Sequence, residues 1–428
     1  MDFRKHINCI SSSWILPMIF SICARVYYYN VYVYSEYVDT ATYLDAGINL
    51  LNGHIDMMRT PIFPLFMQAC LKLFPQSMNI AFPIIQNAIF IMSIFFFHKI
   101  CTHFIKNKYI QFFTCLIYAC VPSIASWEYC VLTETFSIVS VVIFVYLIVL
   151  YLEKKSYKYL VITSLFIFIM VMIKPGFIFI FVIFLGFLIL NFILTKLERR
   201  EMIIGFVSIL LSLSLVFAYT QINEIQNHVN GISIVTDIND FSNIVFSGIY
   251  KNGSDIEVIE AVDELILNGT HPVRAAYEVE LIYRSYDPVN RIGSFNKEVM
   301  QKYRKEFLLY TINKFITIYD LPINIKYAAI SDKYGDYIPK INLFDLNLNF
   351  FCVYFLLIIE IVVIILQWIR EKVPPWGNIG IFFIIFMQVV VIIIGAQGEF
   401  SRLICPILPL IIIMIFKNID KLIGVIYK

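Results

Sequence analysis

Long apolar runs separated by short charged links dominate the chain. Runs of roughly 17 to 25 residues, the length a helix needs to cross a bilayer, fall at about 10–29, 78–98, 110–126, 131–152, 158–173, 176–195, 202–222, 347–369, 377–395 and 403–420. The pattern predicts an all-α polytopic membrane protein with about ten transmembrane helices. Two polar stretches break it. The first, Asp39 to Pro64, carries Leu44, Ile48 and Leu51 at helical spacing and is followed by a short apolar segment, Ile62 to Phe74, opened by prolines. Neither is long enough to span, so both are expected to lie along the membrane surface as juxtamembrane helices. The second, Gln221 to Phe344, has mixed composition with helical readings at Ser254–Asn268, Pro272–Tyr286 and Ser294–Tyr319. It is expected to form a small, mainly helical outer domain resting on the membrane face. The chain thus divides into an N-terminal transmembrane module at 1–222 with its first outer loop at 30–77, an extracytoplasmic insert at 223–345, and C-terminal transmembrane helices at 346–428.

Charge sets the expected orientation. Arg4 and Lys5; Lys99, Lys106 and Lys108; Lys154, Lys155 and Lys158; Lys196, Arg199 and Arg200; Arg370 and Lys372; and Lys417, Lys421 and Lys428 fall in alternate links. Under the positive-inside rule those links and both termini are cytoplasmic, and the two polar stretches lie outside. The tyrosines at 27, 28, 29, 32, 34 and 37 suit an interfacial aromatic belt at the outer end of the first helix. That first run continues to Tyr29 without a small-residue cleavage site, so it reads as a retained helix rather than a signal peptide.

Composition agrees and removes other classes. The chain is 60% hydrophobic and only 15% charged, with mean hydropathy +0.78, well outside the soluble range. A net charge of +2 without any basic run argues against nucleic acid as a partner. The cysteines, Cys9 among them, are scattered through apolar runs without CxxC spacing and read as small core residues. The insert shows no Gly-rich phosphate loop, paired cysteines or GxSxG.

Ionisable side chains at membrane depth are costly and therefore mark candidate sites. Glu134, one turn into its helix, Lys174, Arg402, Arg25 and Glu399 fall at or near the outer ends of their helices, and Asp39 and Arg59 in the first outer loop add acid and base on the same face. Glu360 is the exception, nearer the inner half of its helix, and reads as an interhelical polar contact. Glu36 and Asp45 read as solvated loop acids. His54 and Asp56 resemble a metal pair only in spacing. Carboxylates grouped with arginine and lysine at one interface suit transfer of a group from a lipid-linked phosphate. The acceptor hydroxyl needs a carboxylate base, and the departing phosphate needs fixed positive charge or a metal. Direct displacement needs no protein nucleophile, in keeping with the lack of a Ser/His/Asp or Cys/His set. Each residue also has a plainer reading: Asp39 as a helix N-cap, Arg59 as a headgroup contact, Glu134 as a buried structural hydrogen bond, Lys174 and Arg402 as helix-end anchors.

The order of motifs then resembles a known family. Asp39-x-x-x-Tyr43-x-x-Ala46-x-x-x-Leu50-x-x-Gly53 followed by Arg59-Thr60-Pro61-x-Phe63-Pro64-Leu65 resembles the first outer loop of the GT-C superfamily of membrane glycosyltransferases. The resemblance is to the branch containing the protein O-mannosyltransferases and the aminoarabinose transferases of lipid A. Leu132-Thr133-Glu134, Lys174-Pro175 and Arg402-x-x-x-Pro406-x-x-Pro409 resemble the family's later elements. Thr40 stands where the family has a second acid, and Thr60 and Phe63 where Pro and Tyr are common. The resemblance implies a polyprenyl-phosphate sugar donor, a lipid, glycan or protein acceptor, and a site on the outer face of the cytoplasmic membrane. It implies Asp39 and Glu134 as catalytic residues, with Tyr43, Arg59, Lys174 and Arg402 contacting substrate or phosphate. It assigns no metal ligands, and with Thr40 in place of the acid a divalent cation is left open. The competing readings are an O-antigen polymerase or ligase, a lipid-linked glycan flippase or other transporter, and a non-catalytic membrane scaffold. The two-part first-loop motif speaks against the first. The outer domain, the lack of pseudo-repeats and the absence of charge along the midplane speak against the transporter.

Overall fold

Each apolar run becomes a helix, because in hydrocarbon only a helix satisfies its own backbone. The computed structural model describes residues 14–195, 199–286, 290–323, 327–331, 345 and 347–426. Arg4, Lys5, Cys9, Lys196, Lys428 and the stretch 332–344 lie outside the described residues. In chain order the helices are α1 (Ile15–Val31), α2 (Val38–Leu51), α3 (Ile62–Leu73), α4 (Met78–Phe104), α5 (Lys108–Cys120), α6 (Pro122–Trp127), α7 (Glu134–Lys154), α8 (Tyr157–Ile173), α9 (Phe179–Thr195) and α10 (Arg199–Asn227). The insert follows with α11 (Val235–Phe246), α12 (Ile256–Leu267), α13 (Pro272–Tyr286), α14 (Arg291–Lys302) and α15 (Arg304–Thr317), and the chain ends with α16 (Phe350–Glu371), α17 (Trp376–Gly395), α18 (Phe400–Ile404) and α19 (Leu408–Ile426). Among the described residues there are isolated β-bridges but no strand.

The protein is a multi-pass membrane protein. Among the described residues eight helical segments are long and apolar enough to cross a bilayer, and α1 and α8, at 17 residues each, occupy the remaining two of the ten apolar runs. At 1.5 Å per residue, 17 residues reach roughly 25 Å, just short of the usual hydrocarbon thickness. The run expected at 110–126 bends at Val121–Pro122 into α5 and α6, since a proline there cannot donate back into α5.

The last helix is central and the first of the C-terminal set peripheral. In the apolar 18-residue stretch of Phe400–Gly424, 78% of the positions are buried, whereas in that of α16 22% are. Accordingly α19 packs on α4, α5, α7, α16 and α17, while α16 leaves Phe351, Phe355 and Ile358 on its outer surface. The two short helices of the first loop, α2 and α3, pack against each other. Gly53, at φ +82°, ends the turn after α2 in a conformation glycine adopts without steric cost.

The insert has its own hydrophobic cluster, with Phe241, Ile244, Val258, Val262, Val279 and Phe295 at its centre. Two features differ from expectation. The helix expected over Ser294–Tyr319 is broken at Tyr303, where φ −113° and ψ 40° are not helical, giving α14 and α15. Helix α11 was not anticipated, because Asp237, Asn239 and Asp240 dilute the buried positions Ile238, Phe241 and Ile244.

Candidate active site

Asp39 enters the site because another residue does its capping. The Thr40 hydroxyl accepts the Tyr37 backbone N–H at 2.9 Å, closing the start of α2. The Asp39 carboxylate, in the first turn, is left free and still gains from the positive end of the helix dipole. Thr40, the residue that departs from the family motif, is therefore a buried capping group.

Arg59 is aimed by the polar turn before it. Asp56 Oδ1 accepts the backbone N–H groups of Met58 and Arg59, each at 2.8 Å. The guanidinium then lies 4.4 Å above the centre of the Tyr43 ring. Its Nε donates to Thr42 Oγ1 at 2.8 Å and its Nη2 to Asp39 Oδ1 at 2.8 Å. Tyr43 is buried beneath Arg59, its hydroxyl 3.4 Å from Nη1. Asp56 thus orders the turn through the backbone, and His54 is exposed beside it.

The other cations arrive from distant parts of the chain. Arg402 in α18 donates from Nη1 to Asp39 Oδ2 at 2.9 Å and to Glu399 Oε2 at 2.9 Å, and from Nε to Glu134 Oε1 at 2.8 Å. Lys174 sits between α8 and Pro175 with an extended backbone, as a residue before proline favours, and its Nζ donates to Glu134 Oε1 at 3.2 Å. Glu134 opens α7 as its first residue rather than standing one turn inside the helix. Glu399 and Gly398 both have positive φ, +49° and +98°, and the Glu399 backbone is held in the left-handed region at an energetic cost. Tyr327 donates its hydroxyl to Glu399 Oε1 at 3.0 Å, and its ring stacks on Trp127 at 4.7 Å.

The structure therefore brings together Asp39, Tyr43, Arg59, Glu134, Lys174 and Arg402, and adds Glu399, Thr42 and Tyr327. Thr42 lies three residues from Asp39 on the same helix face, a spacing legible in sequence. Tyr327 carries no such signal, since only the fold brings the end of the insert to this turn. Arg25 is elsewhere: its Nε and Nη2 donate to Glu128 at 3.1 and 2.5 Å, inside the bundle. Glu360 pairs with Lys417 at 2.5 Å, the interhelical contact expected of it. Glu36 and Asp45 are exposed, and Glu36 accepts the Tyr34 hydroxyl at 3.0 Å.

Charge is balanced but not closed off. Asp39 is 30% exposed, Arg59 14%, Arg402 10% and Lys174 18%, while Glu134 is wholly buried. Burial pushes the Asp39 carboxyl up, but Arg59 and Arg402 outweigh it and hold the group below its ordinary value. Glu134 Oε1 accepts from both Arg402 and Lys174, while the second oxygen of the same carboxylate, Oε2, is buried without a hydrogen-bond partner in the structure. Both Asp39 oxygens carry a guanidinium, and among the described residues no three His, Cys, Asp or Glu side chains are grouped to hold a metal. This donor set suits an anion approaching the cations better than a divalent cation approaching the acids.

No family model matches the sequence, and no curated protein matches it. Solved structures do match. They include the oligosaccharyltransferase AglB from the archaeon Archaeoglobus fulgidus in complex with an inhibitory peptide and a dolichol-phosphate (TM-score 0.51, 11% identity, 97% of this chain). The oligosaccharyltransferase of the same organism matches in its apo form (0.53, 10%, 96%) and tethered to an acceptor peptide containing the NVT sequon (0.52, 12%, 97%). In each case 50% of the solved chain is covered. The present chain thus spans about half the length of those oligosaccharyltransferases and shares their fold over its own length.

Proposed function

We propose that the protein is an integral-membrane glycosyltransferase that moves a sugar from a polyprenyl-phosphate donor to an acceptor on the outer face of the cytoplasmic membrane. The observation that carries this reading is the convergence of Asp39, Glu134, Arg59, Lys174 and Arg402 at one place in a GT-C-type fold. A dolichol-phosphate bound to one structural neighbour supports a lipid-phosphate donor, and the acceptor peptide on another supports a polymer acceptor. In this reading both termini are cytoplasmic, residues 1–222 form the catalytic module and 223–345 an extracytoplasmic domain.

The chemistry follows from the charges. The acceptor oxygen attacks the anomeric carbon opposite the phosphate, the carbon–oxygen bond to phosphate breaks, and its electron pair leaves with the polyprenyl phosphate. Asp39 orients the acceptor hydroxyl and receives its proton as the new bond forms, giving an inverted product. A carboxylate held below its ordinary pKa is a weak base, so proton transfer is late, when the hydroxyl has become acidic through its bond to an electron-poor carbon. Arg59, Arg402 and Lys174 stabilise the charge that develops on the phosphate. Glu134 sets the spacing of Arg402 and Lys174, and Tyr43 supports Arg59 from beneath.

The test is transfer from radiolabelled polyprenyl-phosphate sugars in membranes containing Arg402→Lys. The expected result is loss of most transfer with normal insertion, because an ammonium cannot span Asp39, Glu134 and Glu399 as the guanidinium does. Full activity of that variant overturns the reading.

A further inference from the structure

Helix α15 presents three faces where a helix of a water-soluble domain presents two. At about 100° per residue, Phe307, Tyr310, Thr311 and Lys314 share the side packed on the protein, and Lys314 is buried there. Glu306, Asn313 and Thr317 form a polar strip. The remaining sector carries Leu308, Leu309, Ile312, Phe315 and Ile316, with Tyr319 just beyond the helix end, all between 43% and 66% exposed.

We propose that this third face is seated in the bilayer at the headgroup and acyl-chain boundary, making α15 an interfacial helix. Its surroundings identify lipid as the occupant. The Phe315 ring stacks on Tyr354 of α16 at 4.4 Å and 17°, and the Tyr354 hydroxyl donates to the Phe315 carbonyl at 3.2 Å. The Phe351 N–H donates to the Tyr319 carbonyl at 2.7 Å. The apolar face of α15 is thereby continuous with Phe351, Phe355 and Ile358, the outward surface of a transmembrane helix that is mostly unburied along its length. Whatever medium bathes that surface also bathes the α15 face. Arg304 and Lys305, exposed at the start of the helix, fall where lipid phosphates lie.

The seating reaches the candidate site. On the protein side of the same helix, Tyr310 donates to Gln397 Oε1 at 2.5 Å, and Lys314 donates to the Ala396 carbonyl at 2.7 Å and to Asn243 Oδ1 at 2.6 Å. These bonds grip the turn that leads through Gly398 to Glu399 and Arg402. The depth of α15 in the membrane thus fixes the height of that turn relative to the headgroups.

The experiment is nitroxide accessibility in the full chain, reconstituted in bilayers of phosphatidylethanolamine and phosphatidylglycerol. The label is carried by a noncanonical residue at Leu309, Ile312 or Ile316, and at Glu306 or Asn313 for contrast; all five positions are exposed, so no packed side chain is displaced. Expected is a several-fold preference for collision with oxygen over a water-soluble nickel chelate at 309, 312 and 316, reversed at 306 and 313. Equal nickel accessibility at all five overturns the proposal. So does dipolar broadening at the apolar positions that vanishes on dilution with unlabelled protein, because the face is then covered by a second copy.

Discussion

Two kinds of buried charge occur in this molecule, and they are built differently. Arg25 and Glu128 form a closed unit: a forked pair, the remaining guanidinium nitrogen on the Ala119 carbonyl, and the Phe90 ring 4.3 Å beneath. Lys417 and Glu360 are closed as well, with Asn378 accepting from Lys417 at 3.2 Å. All four of these residues are at most 4% exposed. In the Asp39 cluster, by contrast, Arg402 is divided among three carboxylates, Glu134 between two cations, and most members reach the surface. Closed pairs have no valence left for a ligand. The open cluster can exchange one internal partner for a phosphate without stranding a charge.

The comparison predicts opposite consequences for removing a carboxylate charge from each. Asp39→Asn should lower transfer by about 10²–10⁴-fold, the range of a lost general base, with a smaller loss of thermal stability than breaking a fully buried pair, since Asp39 is 30% exposed. Glu128→Ala should do the reverse: removing one partner of a buried pair costs about 3–5 kcal/mol, while transfer per folded molecule stays near parental. The double variant Arg25→Met/Glu128→Leu should recover most of the stability, since apolar replacement of a whole buried pair is often neutral. Denaturation in detergent, with activity normalised to folded protein, separates the two. A Glu128→Ala protein of normal stability and no activity would move the closed pair into the site.

How much of this was legible in sequence depends on distance along the chain. The helices followed from run length, and α2 and α3 from short periodic segments. Glu134, Lys174 and Arg402 are legible as ionisable groups at the ends of apolar runs, which is costly enough to be informative, and Asp39 and Arg59 as charges of the first polar stretch. Their pairing is not. Arg25, like Arg402, lies near the outer end of its apolar run, and only the fold puts Glu128 beside it at the end of the bend after α5 and α6. Lys417, counted as a flanking charge of the last helix, is instead buried against Glu360. A sequence shows that a charge sits near the membrane boundary but not which way the helix turns it, and that rotation separates a closed pair from an open site.

Within the cluster the effects should be graded by how firmly each cation is held. Lys174 makes a single contact with Glu134 at 3.2 Å and is 18% exposed. It is the cation most available to a donor phosphate. Lys174→Gln should raise KM for the lipid donor about tenfold, the worth of one charge-assisted hydrogen bond, and change kcat less. Steady-state kinetics over a range of donor concentration checks this. A fall in kcat at constant KM would assign Lys174 to the transition state alone.

The subtlest effect, and the sharpest test of coupling, is the position of the Asp39 titration, read from the shape of the pH profile rather than from its height. Burial alone would raise its pKa, and the guanidiniums of Arg59 and Arg402 bring it below the ordinary 3.8. For an acid whose folded pKa is depressed, the ionised form contributes stability above the unfolded pKa, and that contribution is lost as pH falls through the folded value. The parental acid limb of kcat/KM should therefore lie below the usual carboxylate range. Arg59→Gln removes one guanidinium and leaves the burial, so the limb should move to higher pH while ionisation at neutral pH is unchanged. Glu128→Gln, in the closed pair, should leave the limb where it is. If the Arg59→Gln profile coincides with the parental one, Asp39 does not titrate in the rate, and the open cluster acts on phosphate without drawing on Asp39 as a proton acceptor.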